Sequence, residues 1–150
     1  MIISQLELAN FRSYAAAKFE LHPEVTLVVG PNATGKTNLL EALYVLASTK
    51  SFRARDRDVV HHGADFYRLV AGGEMEMALA ASFSGGVTKK VTHDGLKRTL
   101  AAHIGRLQVT LFEPTELGML QGPPEGRRRY LEFVLRQTDR GDSVEVTFGN

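Results

Sequence analysis

Eight consecutive residues, Gly30-Pro31-Asn32-Ala33-Thr34-Gly35-Lys36-Thr37, spell G-x-x-x-x-G-K-[ST], and no other stretch limits the fold of this chain so tightly. The pattern serves a phosphate only when it joins a strand to a helix. Its flanks predict both. Residues 25–29 (Val-Thr-Leu-Val-Val) are β-branched and uncharged, as expected of a buried parallel strand. Residues 38–49 carry Leu39, Leu40, Leu43 and Leu46 at helical spacing.

The spacing has a physical reason. Gly30 and Gly35 let the backbone turn tightly and approach oxygens with no Cβ in the way, so successive N–H groups can point at a polyphosphate. The anion then lies at a helix N-terminus, where unpaired donors and the helix dipole favour negative charge. Lys36 brings an ammonium to the β- and γ-phosphates, and the Thr37 hydroxyl takes one coordination position on Mg²⁺. Pro31, Asn32, Ala33 and Thr34 complete the loop. Asn32 and Thr34 add polar side chains whose roles the pattern leaves open.

At 150 residues the chain has the length of one domain. Its 43% hydrophobic and 23% charged residues suit a soluble globular protein. No apolar run approaches the roughly 20 residues of a membrane-spanning helix, and the N-terminus lacks the basic start and apolar stretch of a signal peptide. With no cysteine in the chain, a cytoplasmic location is expected. A net charge of +1 gives little general attraction to a polyanion, but the charge is unevenly spread: residues 51–106 hold nine Lys and Arg against six Asp and Glu. Arg53, Arg55 and Arg57, then Lys89, Lys90, Lys97 and Arg98, form its clusters, and Arg127, Arg128 and Arg129 follow later. Each could be a solvated surface or a set of phosphate contacts.

Strand patterns over residues 2–8 and 17–21 precede the loop, and Pro23 separates them from it. Beyond the first helix, residues 66–71, 75–83, 87–92 and 96–99 read as strands divided by Gly72-Gly73, Gly85-Gly86 and the turn His93-Asp94-Gly95. They predict an antiparallel meander inserted after that helix. A short helix is expected at 101–105 and a second parallel strand at 107–112. A helix over 125–137 starts after Pro124, with Tyr130, Phe133 and Val134 facing inward. Phe11, Phe19 and Tyr44 are expected to fill core. His61 and His62 are expected at the surface, since adjacent histidines point apart and no cysteine or spaced carboxylate pair completes a metal site.

Three further stretches resemble one family. The opening Leu6-Glu7-Leu8-Ala9-Asn10-Phe11-Arg12-Ser13-Tyr14 is similar to an L…NFRNY start. Asn38-Leu39-Leu40-Glu41-Ala42-Leu43-Tyr44, followed by Lys50-Ser51-Phe52-Arg53, is similar to an N-x-LEA-[IL]-Y helix and its KSFR continuation. Residues 114–132, with Pro114, Leu117, Gly122, Pro123, Arg127, Arg128, Arg129, Tyr130 and Leu131, are similar to PEDL…GSP…RRRFLD; Thr115 stands in place of an acid and Glu132 in place of Asp. Together they resemble the RecF family of DNA replication and repair proteins, relatives of the ABC-type heads of SMC proteins.

The resemblance implies an α/β fold, the N-terminal lobe of an ABC-ATPase-like P-loop NTPase, over residues 1–137, with a divergent or disordered tail at 138–150. It implies that the loop binds ATP with Mg²⁺ and that Arg12 reaches the phosphates from an adjoining turn. It also implies an ATP-dependent homodimer, binding to single-stranded or gapped DNA, and work with other recombination-mediator proteins in recombinational repair and the SOS response. The family's signature loop and the apolar strand ending in catalytic acids have no match in the chain. The expectation is therefore a truncated head, its C-terminal half missing, that binds nucleotide with negligible hydrolysis. No catalytic residue is assigned. Two alternatives remain open: a compact P-loop kinase or NTPase using Glu113 at a strand end, and a DNA-binding module with a vestigial nucleotide site.

Overall fold

The computed structural model describes residues 1–111 and, in a following helical stretch, residues 124, 125, 128, 130, 131, 134 and 135. Strands β1 (Ile3–Phe11) and β2 (Tyr14–Glu20) form a hairpin, and helix α1 (Lys36–Ser48) follows the glycine loop. A 3-10 turn over Asp56–Val59 leads to β3 (Phe66–Gly73), β4 (Met77–Ser82), β5 (Thr88–His93) and β6 (Leu96–Arg98), then the short helix α2 (Leu100–His103). All six strands belong to one antiparallel sheet in the order β2-β1-β3-β4-β5-β6. The predicted meander is present, but its first strand is zipped onto β1, so the meander and the opening hairpin share one sheet.

Alternation along the strands decides which face is buried. Leu8 lies opposite Leu69, Leu69 opposite Leu79, and Leu79 opposite Val91, a row across four strands that is almost wholly shielded from water. The same face carries Leu6, Tyr67, Ala71 and Met77, and α1 packs on it through Leu39, Ala42, Val45 and Leu46. The opposite row, Ala16, Ala9, Arg68, Ala80 and Lys90, faces outward. An antiparallel sheet can keep one face wet in this way. The β5–β6 turn follows the expectation: Asp94 (φ 48°) and Gly95 (φ 75°) both take the left-handed conformation, the requirement of a two-residue turn that matches strand twist.

Two expected strands are not found, and one pair of α1 residues has unexpected burial. Residues 25–29 do not form a strand, and Val25, Leu27 and Val29 are 75, 83 and 80% exposed. β-propensity reflects how a residue fits between neighbours, and among the described residues nothing pairs with this run on either side. The second parallel strand is also absent from the described part of its range: residues 108–111 are irregular, and Leu107 makes only an isolated bridge to Ile104. In α1, Leu40 is half exposed while Glu41 is completely buried, the reverse of their polarity. The reason for that exchange lies in the site. The expected helix at 125–137 is helical at each described position, but Tyr130, expected to face inward, is 40% exposed, while Val134 is half-buried. The positions Phe112, Glu113, Arg127, Arg129, Phe133 and residues 138–150 lie outside the described residues.

Candidate phosphate-binding site

The loop from Gly30 to Thr37 lies at the open N-terminal end of α1. Its first intrahelical bond runs from Leu39 N–H to the Gly35 carbonyl, 3.0 Å, so the N–H groups of Lys36, Thr37 and Asn38 precede the helical ladder. The cap residue is Gly35, which has no side chain to satisfy them. Ala33 (φ 66°) and Gly35 (φ 98°) turn the backbone through the left-handed region. Thr34 Oγ1 donates to the Pro31 carbonyl at 2.9 Å and braces the turn. Lys36 Nζ donates to the carbonyls of Gly30 (2.7 Å) and Pro31 (2.5 Å), so its ammonium is folded back over the loop. Residues 30–34 and Thr37 are exposed. The loop thus carries a cation, backbone donors that precede the helical ladder and an exposed hydroxyl, the chemistry of an anion site.

Gly35 is required twice over. Its φ disfavours any side chain, and a Cβ there would lie 2.9 Å from both Ser13 Oγ and Tyr14 Oη. Ser13 in the β1–β2 turn and Tyr14 at the start of β2 form one wall of the loop. Tyr14 Oη donates to the Gly35 carbonyl at 3.2 Å, and Asn38 Nδ2 donates to Ser13 Oγ at 2.9 Å. The turn itself is pinned from behind: Arg12 N–H donates to the Val59 carbonyl (2.7 Å) and His61 N–H to the Asn10 carbonyl (2.9 Å).

Arg12 sits in this turn, as the proposed phosphate contact must, but its guanidinium is directed at Glu41. Nε and one NH2 hydrogen bond the two carboxylate oxygens at 2.8 and 2.7 Å, and NH1 donates to the Asp58 carbonyl at 2.8 Å. Arg53 NH2 reaches the same carboxylate at 2.8 Å and Asn38 Oδ1 at 2.7 Å, while Ser51 Oγ donates to Glu41 at 2.6 Å. Burial pushes the Glu41 carboxyl up; the hydrogen bonds from Arg12, Arg53 and Ser51 and the Arg12 charge outweigh it, leaving the pKa below the ordinary value of 4.5. This explains the inward glutamate of α1: it neutralises cations delivered by two other segments. Ser13, Tyr14, Asn38 and Glu41 stand inside the stretches that carry the family resemblance, but none was assigned to the site. The one local signal was an acid inside an otherwise apolar helical run, Leu39-Leu40-Glu41-Ala42-Leu43.

Other predicted positions take ordinary roles. Phe11 is fully buried and stacks edge-on with Tyr67, Phe19 packs edge-on with Tyr14, and Tyr44 with Phe52. His61 Nδ1 is 2.7 Å from the Arg12 carbonyl, His62 is exposed, and no metal-binding group of three acids, histidines or cysteines occurs among the described residues. In the basic middle region, Lys89 is committed to Asp56 at 2.7 Å and to the Thr49 carbonyl.

A glycine loop of this geometry, opening α1 beside an antiparallel sheet, defines a P-loop ATPase-type chain. Residues 1–97 match the AAA ATPase domain family, and the chain belongs to that family. Within it the chain is similar to the DNA replication and repair protein RecF: it is 34% identical to that of Staphylococcus carnosus (strain TM300) over 144 residues, covering 91% of this chain and 38% of the relative. A RecF–ATP structure described as a recombination mediator of the RecFOR pathway superposes with a TM-score of 0.83 at 24% identity, over 93% of this chain and 40% of that one. An SMC ATPase structure from work on ATP-driven dimerization and DNA-stimulated activation superposes at 0.70 and 17%, over 89% and 99%. The fold is that of RecF and SMC ATPase heads, and the chain spans a little over a third of the length of its RecF relatives.

Proposed function

We propose that this chain is an ATP-binding lobe of RecF type, with Gly30, Pro31, Asn32, Ala33, Thr34, Gly35, Lys36 and Thr37 as the phosphate site. The observation that carries the reading is the folded-back Lys36 ammonium above a loop whose donors precede the α1 ladder. Phosphate oxygens replace the two carbonyls as partners of Nζ, a favourable exchange because the new hydrogen bonds join opposite charges. Mg²⁺ fits the same place: the exposed Thr37 hydroxyl supplies one oxygen ligand, and this ion ordinarily takes the rest from phosphate and water. The described site holds and orients phosphates. Nucleotide binding is assigned to this site, and no residue of it is given a part in hydrolysis.

The similarity to RecF supports a role in DNA replication and repair. We assign to that role binding of single-stranded or gapped DNA, ATP-dependent pairing of two copies, cooperation with recombination-mediator proteins in DNA damage and the SOS response, and a cytoplasmic location. Among the described residues no helix is long and apolar enough to cross a membrane. The first test is titration with a fluorescent ATP analogue, with and without Mg²⁺, against Lys36→Ala. Loss of the charged hydrogen bonds is expected to weaken binding roughly 10- to 100-fold with an unchanged melting temperature. Equal binding by both proteins rejects the site.

A further inference from the structure

The cluster around Glu41 holds more positive charge than its own stability requires. A buried carboxylate must be paired, since an unpaired one is strongly destabilising, but Arg12 alone supplies a two-pronged pair at 2.7 and 2.8 Å. Arg53 adds a second guanidinium to the same carboxylate. Two cations against one anion leave one positive charge over. That excess lies in direct connection with the phosphate loop: Glu41 holds Arg53, Arg53 holds Asn38, Asn38 holds Ser13, and Ser13 abuts Gly35. Neither arginine is sealed in, since Arg12 is 21% and Arg53 37% exposed. The hydrogen bonds found among the described residues use three of the five N–H donors of Arg12 and two of those of Arg53.

We propose that Glu41 is a positioning residue of the nucleotide site. It gathers Arg12 from the β1–β2 turn and Arg53 from the segment after α1 into one fixed pair, whose surplus charge is balanced when a polyphosphate occupies the loop. The surplus favours the more highly charged ligand, so Glu41 sets the preference for nucleoside triphosphate over diphosphate. This inference rests on reading Gly30 to Thr37 as the phosphate site. A purely structural glutamate would act differently: its loss would lower the folded fraction and weaken ATP and ADP equally.

The experiment measures ATP and ADP affinities of the 150-residue chain by competition against a fluorescent nucleotide, for the unaltered chain and for Glu41→Gln, Glu41→Asp, Arg53→Gln and Lys36→Ala, with circular dichroism on each. Glu41→Gln keeps both cations but frees them from their fixed geometry, so it tests positioning against net charge. The ATP-to-ADP affinity ratio is expected to fall about tenfold, the scale of one charged hydrogen bond, with Glu41→Asp recovering most of it. A ratio that rises with the added net charge overturns the positioning role. Arg53→Gln removes the surplus cation while leaving the Arg12–Glu41 pair intact. It is expected to give the same loss of ratio, and it decides the matter if Glu41→Gln does not fold. An unchanged ratio in Arg53→Gln, with Lys36→Ala losing both nucleotides, overturns this inference and leaves the phosphate site standing. Undiminished binding by Lys36→Ala overturns both.

Discussion

Gly35 shows how a single position can be fixed by two independent demands. Its left-handed φ of 98° disfavours a side chain for backbone reasons, and the Ser13 and Tyr14 oxygens occupy the space where a Cβ would go. Gly35→Ala is expected to lower stability by about 1–3 kcal/mol, read as a reduced urea midpoint, and to abolish nucleotide binding by pushing the β1–β2 turn off the loop. Glu41 is the opposite case, a residue whose chemistry opposes its location until its partners are counted. Its lowered pKa makes its contribution complete above the ordinary carboxyl value of 4.5 and lost as pH falls through the lower folded value. A loss of stability above pH 5 would therefore need another source.

That source is a contact between elements. His103 of α2 is fully buried, with Nε2 2.5 Å from the Leu46 carbonyl at the end of α1; a carbonyl only accepts, so Nε2 carries the proton and Nδ1 is left as an acceptor. His93 of β5 fills that vacancy, its Nε2 donating to His103 Nδ1 at 3.1 Å. The bond between the rings is lost when His103 takes a proton on Nδ1, whereas a protonated His93 still donates from Nε2 and adds a charge to a buried site. Burial lowers the pKa of His93, helped by the charges of Arg106 and Arg98 against Asp94. Burial also lowers that of His103, helped by His93 and opposed by the Leu46 carbonyl. With folded values below the ordinary 6.5, the stabilisation is complete above that pH and is lost as pH falls through the lowered values. Urea midpoints are expected to drop between pH 7 and pH 5. His93→Gln should cost about 1–3 kcal/mol at pH 7.5 by disturbing a buried hydrogen bond and should flatten that slope; a slope unchanged by the substitution would clear the pair of responsibility.

For the whole molecule, the sheet buries one face under α1 and leaves an apolar run elsewhere. Val25, Leu27 and Val29 form a continuous exposed stretch beside the phosphate loop. Exposed apolar stretches bind hydrophobic probes and promote association. The chain is expected to bind anilinonaphthalene sulfonate in its folded state, and Leu27→Lys should reduce that fluorescence while changing stability by no more than about 0.5 kcal/mol, as for an exposed site. Were residues 25–29 a buried strand, the same substitution would place a charge in the core and cost several kcal/mol. A denaturation curve separates the two arrangements.

The eight-residue loop, the helix after it and the β3 to β6 meander were legible in sequence because their causes are local. A glycine is demanded by backbone geometry, a turn by Asp94-Gly95, and a strand face by alternation of apolar side chains. Sequence alone also carried the family resemblance, since motifs in order survive without coordinates. What only the tertiary structure decided depends on which segments meet. Residues 25–29 have the composition of a strand, yet strand formation needs a partner, and none is paired with them among the described residues. Glu41 reads as a misplaced charge until Arg12, 29 positions earlier, and Arg53, 12 positions later, close around it. The loop was determined by residues within eight positions of one another. The charge beside it was determined by packing, because only folding brings two distant arginines to one buried carboxylate.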